Sequence, residues 1–542
     1  MPLNDTSLPA ARRLFAATFI GTLLLKVWLA ASFPMSGDEA FFYQWGVFPA
    51  WGYSDHPPMV GWLIALLRLA GDSPLVLRSA TLLVTSLIAL GIVDLLRRHL
   101  PASREASAWL AGAVYLALPW SWMFVLVTTD TPLILFMALS VWAYFRADAA
   151  TTGSARWYLL CGVLLGLAFL SKYFAALLGF AYAAHAWGWR RERAWAPFVV
   201  FAGALPGIAL NIGFNATHGW SNVMFNVFNR NEGSTGSWRT VATYLGMAAY
   251  LLTPWLLWQG LRARGAEGVS PRVLKVAAVL WMFPLALFLL VSLRRTVGLH
   301  WVLGFVPVFV VWAGLRLSAP ALKRSWWATL ALSVPHLLAV GLIAWAPLAW
   351  WTHAPLDRLY DRAVFLRETP AIVAALQADL PAGATLMART YNPAAMLAYH
   401  HRQYVPVFGP GRHHARQDDQ IIDFRRYDGQ PIRVFLYDEP ARADFEPYFD
   451  SLDIKRLTLR GVDFWVVDGQ GFRFQPFRDQ VLAQVAREFH DIPAWLPVLG
   501  NPFCERYGFA DCAPGRAAGR GGPGRGRRIS PPRTAPAAPR RR

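Results

Sequence analysis

The chain has 542 residues, of which 55% are hydrophobic, 26 are Trp and only 16% are charged; ordinary soluble domains carry about 25% charge. With a mean hydropathy of +0.32, this composition excludes a purely soluble protein and requires an integral membrane protein with some soluble mass attached. The formal charge of +19 is not read as nucleic-acid binding: nine arginines follow Gly515, and many others sit in short loops between apolar runs, where membrane insertion alone places them.

The first apolar run, Leu14 to Phe33, is long enough to span and lacks a small-residue cleavage site, so it reads as a retained span. Next comes Pro34 to Trp62, PMSGDEAFFYQWGVFPAWGYSDHPPMVGW, a polar and aromatic stretch with Asp38 and Glu39 side by side, then Asp55, His56 and Pro57-Pro58. Ionisable groups are expensive at the edge of a bilayer, so this cluster is a functional-site candidate; a solvated exit loop is the plainer alternative. Met59 to Leu69 is apolar but short and reads as an interfacial helix or a re-entrant hairpin.

Further apolar runs follow at Leu75–Leu96, Ala106–Val127, Pro132–Phe145, Trp157–Leu170, Tyr173–Trp187, Ala196–Phe214, Val241–Leu261, Val276–Leu293, Trp301–Leu315 and Trp326–Ala346. With the first run they predict about eleven spans, several of them short. Basic clusters such as Arg97-Arg98, Arg190-Arg191-Arg193 and Arg262 to Lys275 fall in alternate loops. The positive-inside rule therefore places the N-terminus in the cytoplasm and Asp38, Glu39, His56, Asp130, Lys172, Arg294 and Arg295 on the opposite face. Asp130, in VTTDTPLIL, stands at a helix start, where capping is an alternative role. Lys172, in GLAFLSKYFAALL, interrupts a long apolar stretch at the same face, where snorkelling to the headgroups is the alternative.

Composition changes after Trp351. Residues 356–513 mix β-rich runs such as Ile432–Tyr437 with helical stretches such as Ala371–Leu380, predicting a small α/β domain that an odd number of spans puts outside the cytoplasm. Cys504 and Cys512, close together near its end, are disulfide candidates if that side is periplasmic, whereas Cys161 reads as a buried apolar residue. Residues 514–542 are mostly Gly, Pro, Ala and Arg with no acidic residue, a tail with too little apolar surface to fold.

The Asp38-Glu39 pair after the first span, then GYSDHPPMVGW, then LVLRSATLL opening the next helix, resembles the bacterial polyprenyl-phosphate-dependent glycosyltransferases of the GT-C superfamily. That group includes the protein O-mannosyltransferases, the lipid A aminoarabinose transferase and the lipopolysaccharide-core galacturonosyltransferases. The resemblance covers roughly the first two thirds of the chain. It implies a polytopic α-helical GT-C domain (1–355) under an extracytoplasmic α/β domain, in the inner membrane. It also implies an inverting transfer of a sugar from a polyprenyl phosphate to lipid A, lipopolysaccharide core or another glycan.

The resemblance further implies Asp38 as base, with Glu39 and Asp130 as companion carboxylates, and Lys172, His56, Arg294 and Arg295 as contacts to the donor phosphate. Asp-His-Pro-Pro departs from the aminoarabinose transferase pattern, which has Lys before the proline, and follows the galacturonosyltransferase-like members. No fixed metal-ligand spacing is present, so no metal is predicted, although His56 among the carboxylates leaves a divalent ion open. The main rival, a transporter of lipid-linked sugars, should place its charges near the bilayer midplane and show a repeated half; here the charges lie at one face and no repeat is evident.

Overall fold

The computed structural model describes residues 5–229, 236–263 and 267–512. The expected Arg-rich tail lies outside these.

Ser7 and Pro9 start α1 (Leu8–Ser32), with the Ser7 hydroxyl accepting from the Ala10 amide. Two short helices follow, α2 (Gly37–Val47) and α3 (Met59–Arg68), and then α4 (Pro74–His99), capped by Ser73. Pro119 has no amide hydrogen to continue a helix, and the run Ala106–Val127 breaks there into α5 (Glu105–Ala117) and α6 (Pro119–Met123). Next come α7 (Asp130–Ala149), α8 (Ser154–Phe169), α9 (Ala176–Trp189), α10 (Ala196–Thr217) and the single turn α11 (Ser221–Val223). The membrane part ends with α12 (Trp238–Leu251), α13 (Pro254–Arg262), α14 (Pro271–Ser292), α15 (Val306–Arg316) and α16 (Ala319–Trp345).

Every expected apolar run forms helix. Among the described residues, seven helices are long and apolar enough to cross a membrane, or eight if α12 and α13, bent by 83°, count as one. The remaining runs give α5, α8 and α9, of 13, 16 and 14 residues, shorter than a perpendicular crossing requires. Helices α8 and α10 nevertheless pack backbone to backbone: a Cβ on Gly162 would strike the Val200 carbonyl, and one on Gly203 the Leu159 carbonyl. Small residues four apart (Gly162 and Gly166, Gly203 and Gly207) provide this close approach, which takes the place of a hydrophobic driving force in lipid.

The chain then forms α17 (Tyr360–Ala378), β1 (Thr385–Ala388), α18 (Tyr391–His401), β2 (Ile432–Leu436), β3 (Phe449–Leu459) and β4 (Val462–Phe472). The four-stranded sheet has the order β1-β2-β4-β3, with β1 parallel to β2 and the other pairs antiparallel. Arg460 and Gly461, both at positive φ, make the two-residue turn between β3 and β4, whose twist suits a hairpin. Buried Arg433 ties the sheet to α17 by pairing with Asp468 at 2.6 Å and Asp379 at 2.5 Å.

One core runs between the two parts. Phe41, Tyr43 and Trp45 of α2 pack in the same buried cluster as Val364 and Ile372 of α17, Ala394 and Leu397 of α18, and Phe435 of β2. The α/β domain thus rests directly on α2, the helix that begins with the Asp38-Glu39 pair.

Candidate active site

The two adjacent carboxylates at the start of α2 have opposite environments. Ser36 caps the helix by accepting from the Glu39 amide, and Asp38 is left exposed. Glu39 and Arg78 of α4 are both 0% exposed and form a two-pronged pair, Nη2 to Oε2 at 2.6 Å and Nε to Oε1 at 2.9 Å. The Val127 amide also donates to Glu39 Oε1 at 3.1 Å, while the other Arg78 donors reach the carbonyls of Ala30, Phe33 and Pro34. A buried pair is tolerable only when its remaining donors and acceptors are satisfied, as they are here. The geometry makes Glu39 the counter-ion that joins α1, α2, α4 and the approach to α7, and it leaves Asp38 as the carboxylate of the pair that faces solvent.

Above Asp38 stands α18. The Tyr391 hydroxyl donates to Asp38 Oδ1 at 3.5 Å. Burial first, then the neighbouring Asp38 and Asp55 carboxylates, push the Tyr391 phenol up to about 12, so it remains a donor at neutral pH. Its ring lies 4.7 Å from that of His414, whose Nδ1 is 2.6 Å from Asp55 Oδ2; the Ser54 hydroxyl satisfies Asp55 Oδ1. Asp38, Tyr391, His414 and Asp55 therefore form one contiguous group assembled from both domains.

Asp130 is the first residue of α7 and makes no capping bond; Thr129 is the N-cap. Its two oxygens instead accept from Lys172 Nζ at 2.9 and 3.0 Å, with both side chains over 90% buried. Lys172 follows the end of α8 and is held, buried, against Asp130, so pairing describes these two residues better than capping or snorkelling. The Met59 amide donates to the Leu170 carbonyl at 3.0 Å, which sets the Asp55-His56-Pro57-Pro58 segment against the Lys172 turn. Glu39 reaches the same region through Val127, three residues before Asp130.

His56 is half-buried with its ring among Phe42, Trp45 and Phe225, at 6.3, 6.2 and 6.0 Å. Arg294 is exposed and Arg295 half-buried just beyond α14, and neither has an ion pair among the described residues. They lie at the Lys172 end of the bundle: Phe174, two residues from Lys172, packs on Phe288 of α14 and on Trp301, at 5.6 and 4.3 Å. At the far end of α7, about 30 Å away by helix rise, Asp148 pairs with Arg190 and Arg272 at 2.7 Å each. Among the described residues no group of three or more His, Cys, Asp or Glu side chains has a metal-holding arrangement. Cys504 and Cys512 are joined, with Cα atoms 5.8 Å apart, and Cys161 is free and buried.

Sequence reasoning missed Tyr391 and His414. Both lie in the α/β domain, more than 330 residues beyond Asp55, in segments without a recognisable motif. The only cue for His414 was the His413-His414 pair within Gly411 to Ala415, which carries no partner information.

Comparisons with known proteins agree with the resemblance read from the sequence. Residues 55–214 match the dolichyl-phosphate-mannose-protein mannosyltransferase family. The lipid A galacturonosyltransferase RgtD of Rhizobium johnstonii is 33% identical over 140 residues, 25% of this chain and 28% of that protein. The chain thus aligns with little more than a quarter of that curated relative. Among solved structures, ArnT from Cupriavidus metallidurans in the apo state superposes with a TM-score of 0.57 at 18% identity, covering 84% of this chain and 97% of ArnT. ArnT bound to undecaprenyl phosphate gives the same TM-score at 17% identity, covering 83% and 97%. The chain has the polytopic GT-C fold with a C-terminal sheet domain.

Proposed function

We propose that the protein is an inner-membrane glycosyltransferase that moves a sugar from a polyprenyl phosphate to a hydroxyl of lipid A or a related envelope glycan, with inversion. The observation that carries this reading is the placement of exposed Asp38 directly beneath the α/β domain, next in sequence to Glu39, which accepts from the Val127 amide three residues before the buried Asp130–Lys172 pair, within a GT-C fold. The RgtD likeness supports lipid A as acceptor, and undecaprenyl phosphate in ArnT supports the donor class.

In the reaction, the acceptor oxygen attacks the anomeric carbon opposite the phosphate. The bond from that carbon to the phosphate oxygen breaks, its electron pair leaves with the polyprenyl phosphate, and the acceptor proton passes to an Asp38 oxygen. The leaving phosphate gains charge, which Lys172 stabilises together with His56, Arg294 and Arg295 from the same end of the bundle. Lys172 is already bound to Asp130, so Asp130 sets where its ammonium stands before donor arrives. Tyr391 and His414 orient Asp38 from above. Basic loops at the Arg190–Arg272 end face the cytoplasm and the α/β domain faces the periplasm.

The test is mass spectrometry of envelope lipids from cells with and without the gene. Loss of one sugar mass from lipid A or core, restored by the intact gene and not by an Asp38→Asn copy, supports the reading; identical lipid profiles contradict it.

A further inference from the structure

A cavity of about 620 Å³ lies where the α/β domain meets the start of α2. Its position is fixed to the reacting group on two sides. Ser36 and Gly37, which immediately precede Asp38, form one wall, and Asn392, which follows Tyr391, forms another. The walls meet closely enough that a Cβ on Gly37 would overlap the Asn392 amide. Residues of α17 and β4 close the far side, Phe365 and Phe464 among them.

Several polar groups on these walls are open to a ligand. The half-buried Asn392 amide and Tyr437 hydroxyl, and the exposed charged ends of Asp361, Arg362 and Asp438, make no side-chain hydrogen bond or ion pair among the described residues, whereas Asp463 on the same wall accepts from Thr458. An amide, a phenol and carboxylates around a partly apolar hollow match the hydroxyls and C–H faces of a sugar ring, and the volume falls in the usual range for small-ligand pockets. Two unpaired carboxylates against one guanidinium disfavour a phosphate or a uronic acid in the same space.

We propose that this cavity is the acceptor subsite and that it takes an uncharged or amino-bearing saccharide unit, any anionic group on the acceptor lying outside it. The proposal rests on the transferase reading and adds the identity of the wall that selects the acceptor. A sugar held here presents a hydroxyl at the amino end of α2, next to Asp38.

The test uses the purified full-length protein in detergent and saturation-transfer NMR with three probes: the β-1,4-linked glucosamine disaccharide, its N-acetylated form and digalacturonate. The first two should bind and digalacturonate should not. Asn392→Ala combined with Tyr437→Phe should weaken binding about tenfold, as loss of two hydrogen bonds implies, and the surface variant Asp438→Asn should weaken the glucosamine probe more than the N-acetylated one. Asp38→Asn should leave probe binding intact. Unchanged binding in the double variant, or equal binding of digalacturonate, overturns the subsite. Probe binding as described with no sugar lost from the envelope of gene-deleted cells would instead overturn the transferase reading and leave the saccharide site standing.

Discussion

Asp55 and His414 are 359 residues apart in the chain and 2.6 Å apart in the structure. One lies at the membrane surface before α3, the other in the α/β domain, and with Tyr391 they bring that domain into the site as a component. Removing either partner should break this link and free Tyr391 from its packing against His414. Asp55→Asn and His414→Ala are each expected to lower the rate of sugar transfer about 10- to 100-fold. The double variant should be little worse than either single one, because residues in one hydrogen-bond network are not additive. Fully multiplicative losses would show that the two act independently.

Glu39→Gln should act on stability. Arg78 would keep its charge in a fully buried place without a counter-ion, a loss of about 3–5 kcal/mol for breaking such a pair. Thermal unfolding of the purified protein should shift down accordingly, while replacement of both residues by Met and Gln should recover much of the loss. A Glu39→Gln protein as stable as the native one but inactive would return Glu39 to a direct part in the chemistry.

Much of this was legible in the sequence, and the reasons for the rest are physical. Hydropathy marked the long helical runs because lipid demands continuous apolar segments, but apolarity does not fix length: α8 and α9 have 16 and 14 residues, yet they run between the Asp130 and Asp148 ends of α7. Asp130 and Lys172 were visible as charges among apolar residues, yet their mutual pairing was not, since 42 residues and two helices separate them. Glu39 read as a companion carboxylate to Asp38; adjacent residues on a helix point about 100° apart, and only packing decides which of the two faces Arg78. Tyr391 and His414 come from a domain whose docking on α2 no local pattern encodes.

For Asp130 and Lys172 the structure separates stability from binding. Lys172→Met should destabilise the protein, because Asp130 is left unpaired under more than 90% burial, and should also weaken donor-lipid binding. Adding Asp130→Asn should restore most of the stability but none of the binding. Paired measurements of thermal unfolding and of polyprenyl-phosphate binding check this; recovery of binding in the double variant would remove Lys172 from the phosphate site.

The α/β domain carries a pH response of its own. Burial pushes the Asp418 carboxyl up to about 7, aided by neighbouring Asp419 and opposed by hydrogen bonds from the Tyr404 hydroxyl and the Val407 amide. The folded chain then keeps a proton that the unfolded chain has released above about pH 4, so this group's contribution falls as pH rises from about 4 to 7 and is flat on either side. The total is on the order of a few kcal/mol. Thermal unfolding of the full-length protein across pH 4 to 8 should lose this slope in Asp418→Asn; an unchanged slope would assign it to other groups.

The central claim is that Asp38 accepts the proton of the acceptor hydroxyl. Asn at position 38 keeps the size and much of the hydrogen bonding to Tyr391 but cannot take that proton. The decisive measurement is therefore the turnover of Asp38→Asn with a polyprenyl-phosphate sugar and lipid A, beside its affinity for the polyprenyl phosphate alone. Turnover lower by about 10²- to 10⁴-fold, the usual contribution of a general base, with donor affinity unchanged, is the predicted result. Turnover near that of the native protein would contradict it and place the base elsewhere.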